Sequence, residues 1–183
     1  MSVRLVLASN SGARQSVLKD AGVPFEAVGS GVDEALAKVA LDARHATPRQ
    51  VAEALAEEKA LAVSARRPDL VVGADQTLEF QGKLYDKVET VEHARARLKM
   101  LRGKPHMLHS AVVVAQGGAV VWRETQSATL RMRDFSDRFL EAYLAAEGAA
   151  ALGSVGCCRL EGLGVQLCSK IDGDYFTILG LPL

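Results

Sequence analysis

The period of the apolar positions changes repeatedly along the chain, and the changes predict alternating strands and helices. Arg4–Ala8 is a short apolar run, the pattern of a buried strand. From about Gly12 to Asp20 the spacing turns helical: Val17, Leu18 and Ala21 share a face, and Gly22 supplies the stop. Thr47-Pro48-Arg49-Gln50 opens a second helix, with Thr47 as N-cap, Pro48 in the first turn and Gln50 closing a capping box. Leu70–Asp75 reads as a buried strand, and Phe80-Gln81-Gly82-Lys83 as the turn of a hairpin. Thr90 caps a third helix, striped by Val91, Ala94, Leu98 and Leu101 and stopped by Gly103. Leu108–Ala115 and Ala119–Trp122 form another hairpin around Gln116-Gly117-Gly118, and the alternation of Ala128, Leu130 and Met132 predicts a further strand. Ser136 caps a fourth helix, with Phe135 and Leu140 placed as a hydrophobic staple and Gly148 at its end. Beyond Gly153 the glycines crowd together, which predicts short strands and tight turns.

Hairpins mixed with crossover helices predict a mixed α/β sheet rather than a purely parallel one. With 183 residues and neither repeat, low-complexity tract nor linker, one domain spans 1–183. Lys+Arg and Asp+Glu are equal at 22 each. A chain that grips DNA or RNA through phosphates shows a basic excess, so no nucleic-acid partner is expected. Any positive site is local and suits a small anion. No apolar run approaches about 18 residues and no basic-then-apolar leader opens the chain, which predicts a cytoplasmic protein without a membrane partner. Cys157, Cys158 and Cys168 form no C-x-x-C pair, and the four histidines have no zinc-ligand spacing. The cysteines read as small hydrophobes in a reducing compartment.

Three places carry chemistry. Ser9-Asn10-Ser11-Gly12-Ala13-Arg14 sits where a strand hands over to a helix, so free N–H groups, the helix dipole and a guanidinium can converge on a phosphate. Ser11 reads equally as a plain N-cap and Arg14 as a surface residue. Lys59 lies on the apolar stripe of the second helix, seven residues after Ala52 and four after Leu55, so it either snorkels or points into a polar cleft. Asp75 ends the run Leu70–Ala74, where a carboxylate is costly unless paired, metal-bound or used. Glu34 is a candidate second acid, or a solvated loop residue, and Lys87 a candidate phosphate partner.

In order and spacing these segments resemble the Maf family of nucleoside triphosphate pyrophosphatases. The resemblance rests on Leu7–Arg14, Asp33-Glu34, Ala56-Glu57-Glu58-Lys59-Ala60, Gly73-Ala74-Asp75-Gln76-Thr77 with Lys87, Leu160–Gly164, Ile171-Asp172-Gly173 and Gly180–Leu183. It implies a mixed, elongated twisted sheet with flanking helices in two lobes around a central cleft, usually as a homodimer. It also implies Mg²⁺- or Mn²⁺-dependent hydrolysis of a nucleoside triphosphate substrate to the monophosphate and pyrophosphate. Position by position, Asp75 matches the proton acceptor, and Glu34 with Asp75 the metal site. Ser9, Ser11, Arg14, Lys59 and Lys87 match the phosphate-facing set. Ala13, Gln76 and Glu161 fall where the family selects the base, and the combination leans towards the 7-methyl-GTP branch over the dTTP/UTP branch. Lys87 is followed by Val88 where the family has proline, which loosens the turn that aims the lysine. A broad-specificity house-cleaning phosphohydrolase, and a nucleotide-sensing regulator of cell division without turnover, are the rival readings.

Overall fold

Two parallel strand pairings and four antiparallel ones share one sheet in the computed structural model, which describes residues 4–183. The strands are β1 (Leu5–Leu7), β2 (Phe25–Ala27), β3 (Leu70–Phe80), β4 (Lys83–Tyr85), β5 (Pro105–Gln116), β6 (Ala119–Met132) and β7 (Cys168–Asp172). The helices are α1 (Gly12–Asp20), α2 (Glu34–Asp42), α3 (Pro48–Ser64), α4 (Val91–Leu101), α5 (Asp137–Glu147) and α6 (Tyr175–Leu179). The sheet order is β2-β1-β3-β5-β6-β7, with β4 added to β3. No helix among the described residues is long and apolar enough to cross a membrane.

The order explains the cleft. On one edge of β3, β1 covers only residues 70–72 and β4 only residues 78–80. Between them the stretch 73–77 pairs with β5 alone, and the chain leaving β1 peels away into α1. A gap in one edge of an otherwise continuous sheet divides the molecule into two lobes. Behind it, β5 carries the ladder through both. One lobe packs α1 on Leu7, Val72 and Ala74; the other packs α4 and α5 on Leu78, Leu108 and Leu130.

Helix α3 covers the opposite sheet face, and its small residues set how closely it lies. Ala52, Ala56 and Ala60 pack on Ala111, Val113 and Ala115. Gly73 marks the tightest point: a Cβ there would stand 2.3 Å from the Ala56 carbonyl oxygen and 2.5 Å from the Ala60 nitrogen. The helix starts at the expected capping box between Thr47 and Gln50, and Thr90 and Ser136 cap α4 and α5 as their patterns predict.

Four differences from the sequence pattern have physical causes. The strand expected to stop at Asp75 continues to Phe80, because a paired acid in mid-strand is tolerated where the sheet edge opens. The segments Ala119–Trp122 and Ala128–Met132 are one strand, β6, whose intervening residues are mostly exposed and so lack an apolar signal. Beyond Gly153 the expected turns and one short strand (β7) are present, joined by a 3₁₀ segment (Leu163–Leu167) and a short helix that the pattern did not predict. Finally, β2 and α2 were not signalled: β2 has three residues, and α2 buries none of its own.

Candidate active site

Where β3 lacks a partner on one edge, Asp75 and Gln76 line a cleft of about 1420 Å³. That exceeds the roughly 300–1,000 Å³ of common small-ligand sites, leaving room for a large anion with its water. Alternation along β3 sends Asp75 to the α3 face and Gln76 to the opposite one. The close approach at Gly73 lowers α3 so that Lys59, one residue before Ala60, meets Asp75.

The Lys59 ammonium stands 2.6 Å from Asp75 Oδ1 and 2.8 Å from Glu34 Oε1. Lys59 and Asp75 are almost fully buried, whereas Glu34 is half-exposed at the start of α2. The lysine on the apolar stripe therefore neither snorkels nor stands alone: it bridges two acids from different elements. Burial pushes the Glu34 carboxyl up, but the Lys59 hydrogen bond and the charges of Lys59, Lys38 and Arg14 outweigh it, holding Glu34 below the usual carboxylate range.

The β1–α1 junction lines the same cleft. Ser11 occupies the N-cap position of α1, yet its hydroxyl makes no capping bond, so the cap is not what it serves. Its N–H donates to Ser9 Oγ at 3.2 Å. Arg14 is buried, donating from Nε to Gly180 O at 2.8 Å and from Nη1 to Ser9 Oγ at 3.3 Å. Gly180 reaches it through a left-handed backbone (φ 88°) that favours glycine. Burial pulls Arg14 below the usual arginine range, offset in part by the charges of Asp75 and Glu34. Ala13 also lines the cleft.

Lys87 stands at the cleft rim with no ion-pair partner among the described residues. The surrounding cleft walls, and then the charge of Arg14, hold it below the usual lysine range. Its neighbour Val88 is half-buried against the second lobe's core, so apolar packing ties the turn in place of a proline ring.

Gln76 faces the C-terminal helix. Its Nε2 stands 2.9 Å from Ser110 Oγ, 3.0 Å from Thr177 O and 2.9 Å from Ile178 O. Two backbone carbonyls accept only, so the amide nitrogen must face them and Oε1 is left for other partners. Ser110 lies beneath the cleft, fully buried, and donates to Thr177 O at 2.7 Å. Glu161 sits at the cleft wall and pairs with Arg159 at 3.2 Å.

The structure thus brings Ser9, Ser11, Ala13, Arg14, Glu34, Lys59, Asp75, Gln76, Lys87 and Glu161 to one cleft. Sequence reasoning missed Lys38 and Asp86, which line it as a pair 2.5 Å apart; the available signal was that Lys38 follows Glu34 by one helical turn. Among the described residues no three His, Cys, Asp or Glu groups gather as metal ligands. Lys59 occupies one oxygen of each acid, leaving Asp75 Oδ2 and Glu34 Oε2. Two hard carboxylate donors suit Mg²⁺ or Mn²⁺, which complete their shells with water and substrate phosphates, and do not suit a soft ion.

The Maf-like protein family profile matches residues 4–183. A relative from Caulobacter vibrioides, "Nucleoside triphosphate pyrophosphatase", is 59% identical over 179 residues, 98% of this chain and 90% of the relative. One of the same name from Granulibacter bethesdensis is 48% identical over 182 residues, 99% of this chain and 92% of the relative. A "7-methyl-GTP pyrophosphatase" from Brucella abortus is 45% identical over 184 residues, 100% of this chain and 92% of the relative. A mixed sheet split by a cleft, a profile match over nearly every residue and relatives this similar along their length place the chain in one family: it belongs to the Maf proteins.

Proposed function

We propose that this chain hydrolyses a nucleoside triphosphate to the monophosphate and pyrophosphate, with 7-methyl-GTP as the preferred substrate. The observation that carries the reaction is the Asp75–Lys59–Glu34 bridge, in one cleft with Arg14. Two relatives named for nucleoside triphosphate pyrophosphatase activity support it.

Lys59 fixes both carboxylates, so each presents its second oxygen without a rotamer search. Asp75 accepts a proton from the water that attacks the α-phosphorus and releases it to solvent. Arg14, Lys87, Ser11 and the N–H groups at the start of α1 hold the phosphate oxygens and take up charge as pyrophosphate departs. Glu34 and Asp75 would hold a Mg²⁺ or Mn²⁺ ion, which when bound supplies further charge neutralisation on the phosphates. Most of this is positioning and electrostatics, as phosphate transfer requires.

For the base, Gln76 offers Oε1 and Glu161 a carboxylate, both acceptors for the N1–H and N2–H donors of guanine; Ala13 leaves space beside them. A carboxylate also favours the cationic 7-methylated ring. The relative named for 7-methyl-GTP supports this choice. The Arg159–Glu161 pair favours a second reading, broad specificity, because it spends part of the acid's charge. Pyrophosphate release with Mg²⁺ or Mn²⁺ across 7-methyl-GTP, GTP, dTTP, UTP and CTP separates them. Preference for 7-methyl-GTP is expected; equal rates favour the broad reading, and preference for dTTP or UTP removes Gln76 and Glu161 as base readers.

A further inference from the structure

Helix α2 faces the opposite way from an ordinary surface helix. Leu36 and Val39 are 68% and 69% exposed, while Glu34 and Lys38 turn inward to the cleft. None of its residues is buried, so no core contact dictates that orientation. Charge in the cleft does. Glu34 meets Lys59, and one turn later Lys38 spans to Asp86 on the opposite wall at 2.5 Å, with Glu34 Oε2 4.0 Å away.

Resting on the phosphate-cleft reading above, we propose that Lys38 is a further phosphate-binding residue, which leaves Asp86 to hold the end of the substrate released as pyrophosphate. Three observations carry it. Lys38 pairs with Asp86, the residue directly before Lys87, and all three line the one cleft. The side chains of Lys38 and Asp86 are 23% and 57% exposed, and an ion pair that open to water is weakly held and exchanges its partner readily. Of the cleft cations among the described residues, Lys59 is committed to Asp75 and Glu34, and Arg159 to Glu147 and Glu161, so Arg14 and Lys87 face a polyphosphate carrying several negative charges. Among the described cleft cations, Lys38 is the one whose single close partner, Asp86, is itself more than half exposed. Asp86 then acts as its resting partner and as a competitor of the phosphate.

That competition gives the test its sign. Binding of pyrophosphate in the presence of Mg²⁺ is measured by calorimetry for the parent chain, Lys38→Met, Lys38→Arg and Asp86→Asn, with a thermal melt of each variant. Lys38→Met is expected to bind on the order of tenfold more weakly, the loss of one charged hydrogen bond, and Lys38→Arg close to the parent. Asp86→Asn is expected to bind several-fold more tightly, because it frees the ammonium. If Lys38 merely fastens α2, Lys38→Met and Asp86→Asn weaken binding alike, and the proposal is overturned. Equal binding by Lys38→Met and the parent overturns it as well. A folded parent that binds no pyrophosphate overturns the phosphate-cleft reading itself, and this inference with it.

Discussion

Gly73 couples the fold to the chemistry, and replacing it by alanine perturbs both through one atom. The new Cβ would stand 2.3 Å from Ala56 O and 2.5 Å from Ala60 N, both backbone atoms of α3 that no rotamer change can move. Ordinary contact begins at 3.4 Å, so α3 must lift by about 1 Å. Overpacking of this kind costs about 1–3 kcal/mol. For a chain of this size each kcal/mol lowers the melting temperature by roughly 2–4 °C, giving a drop of roughly 2–12 °C. The lift also carries Lys59 away from Asp75 and Glu34. A displacement near 1 Å in a positioning group costs about 10²-fold in rate. Thermal melts and pyrophosphate release under saturating nucleotide measure the two effects on the same protein. An alanine variant that melts with the parent and turns over at its rate would refute the idea that the α3–β3 approach sets the site.

Two other substitutions probe polar groups through pH. His106 is buried with Nδ1 unpartnered, and burial, then the charge of Arg97, lowers it from 6.5 to about 4. Between those values the unfolded chain binds the extra proton, so stability falls as pH drops from about 6.5 through about 4. The loss approaches roughly 3 kcal/mol. Urea unfolding of His106→Leu against the parent should show a flatter acid limb; parallel limbs would contradict the assignment. Gln76→Glu would set a carboxylate against the carbonyls of Thr177 and Ile178, at 3.0 and 2.9 Å in the parent. The penalty, about 1–3 kcal/mol, is present at high pH and lifts as the carboxyl takes up a proton. The variant should therefore melt closer to the parent at pH 5 than at pH 8, whereas Gln76→Met, which repels nothing, should show no such trend.

Much of the candidate site was readable because unusual residues sat in strong patterns. Lys59 stood out on an apolar helical stripe, and Asp75 stood out at the end of an apolar run. Both were visible because the surrounding burial was periodic. Their partnership with Glu34 was not, since it depends on where α2 lands. That helix turns Leu36 and Val39 outward and Glu34 and Lys38 to the cleft, so its pattern points the wrong way. The cleft was expected from the family resemblance alone and not from the residue pattern, for a related reason: it arises from how far β1 and β4 extend along β3, a property of pairing lengths rather than of any residue. The hold on Gln76 was hidden too, because two of its three partners are backbone carbonyls of α6 and carry no residue signature.

The central claim is that Asp75 takes the proton from the attacking water. Asp75→Asn keeps the shape and leaves a group that cannot do so. Pyrophosphate release should fall by at least about 10² while Mg²⁺-nucleotide binding persists. Hydrolysis at the parent rate on every nucleotide would contradict the account.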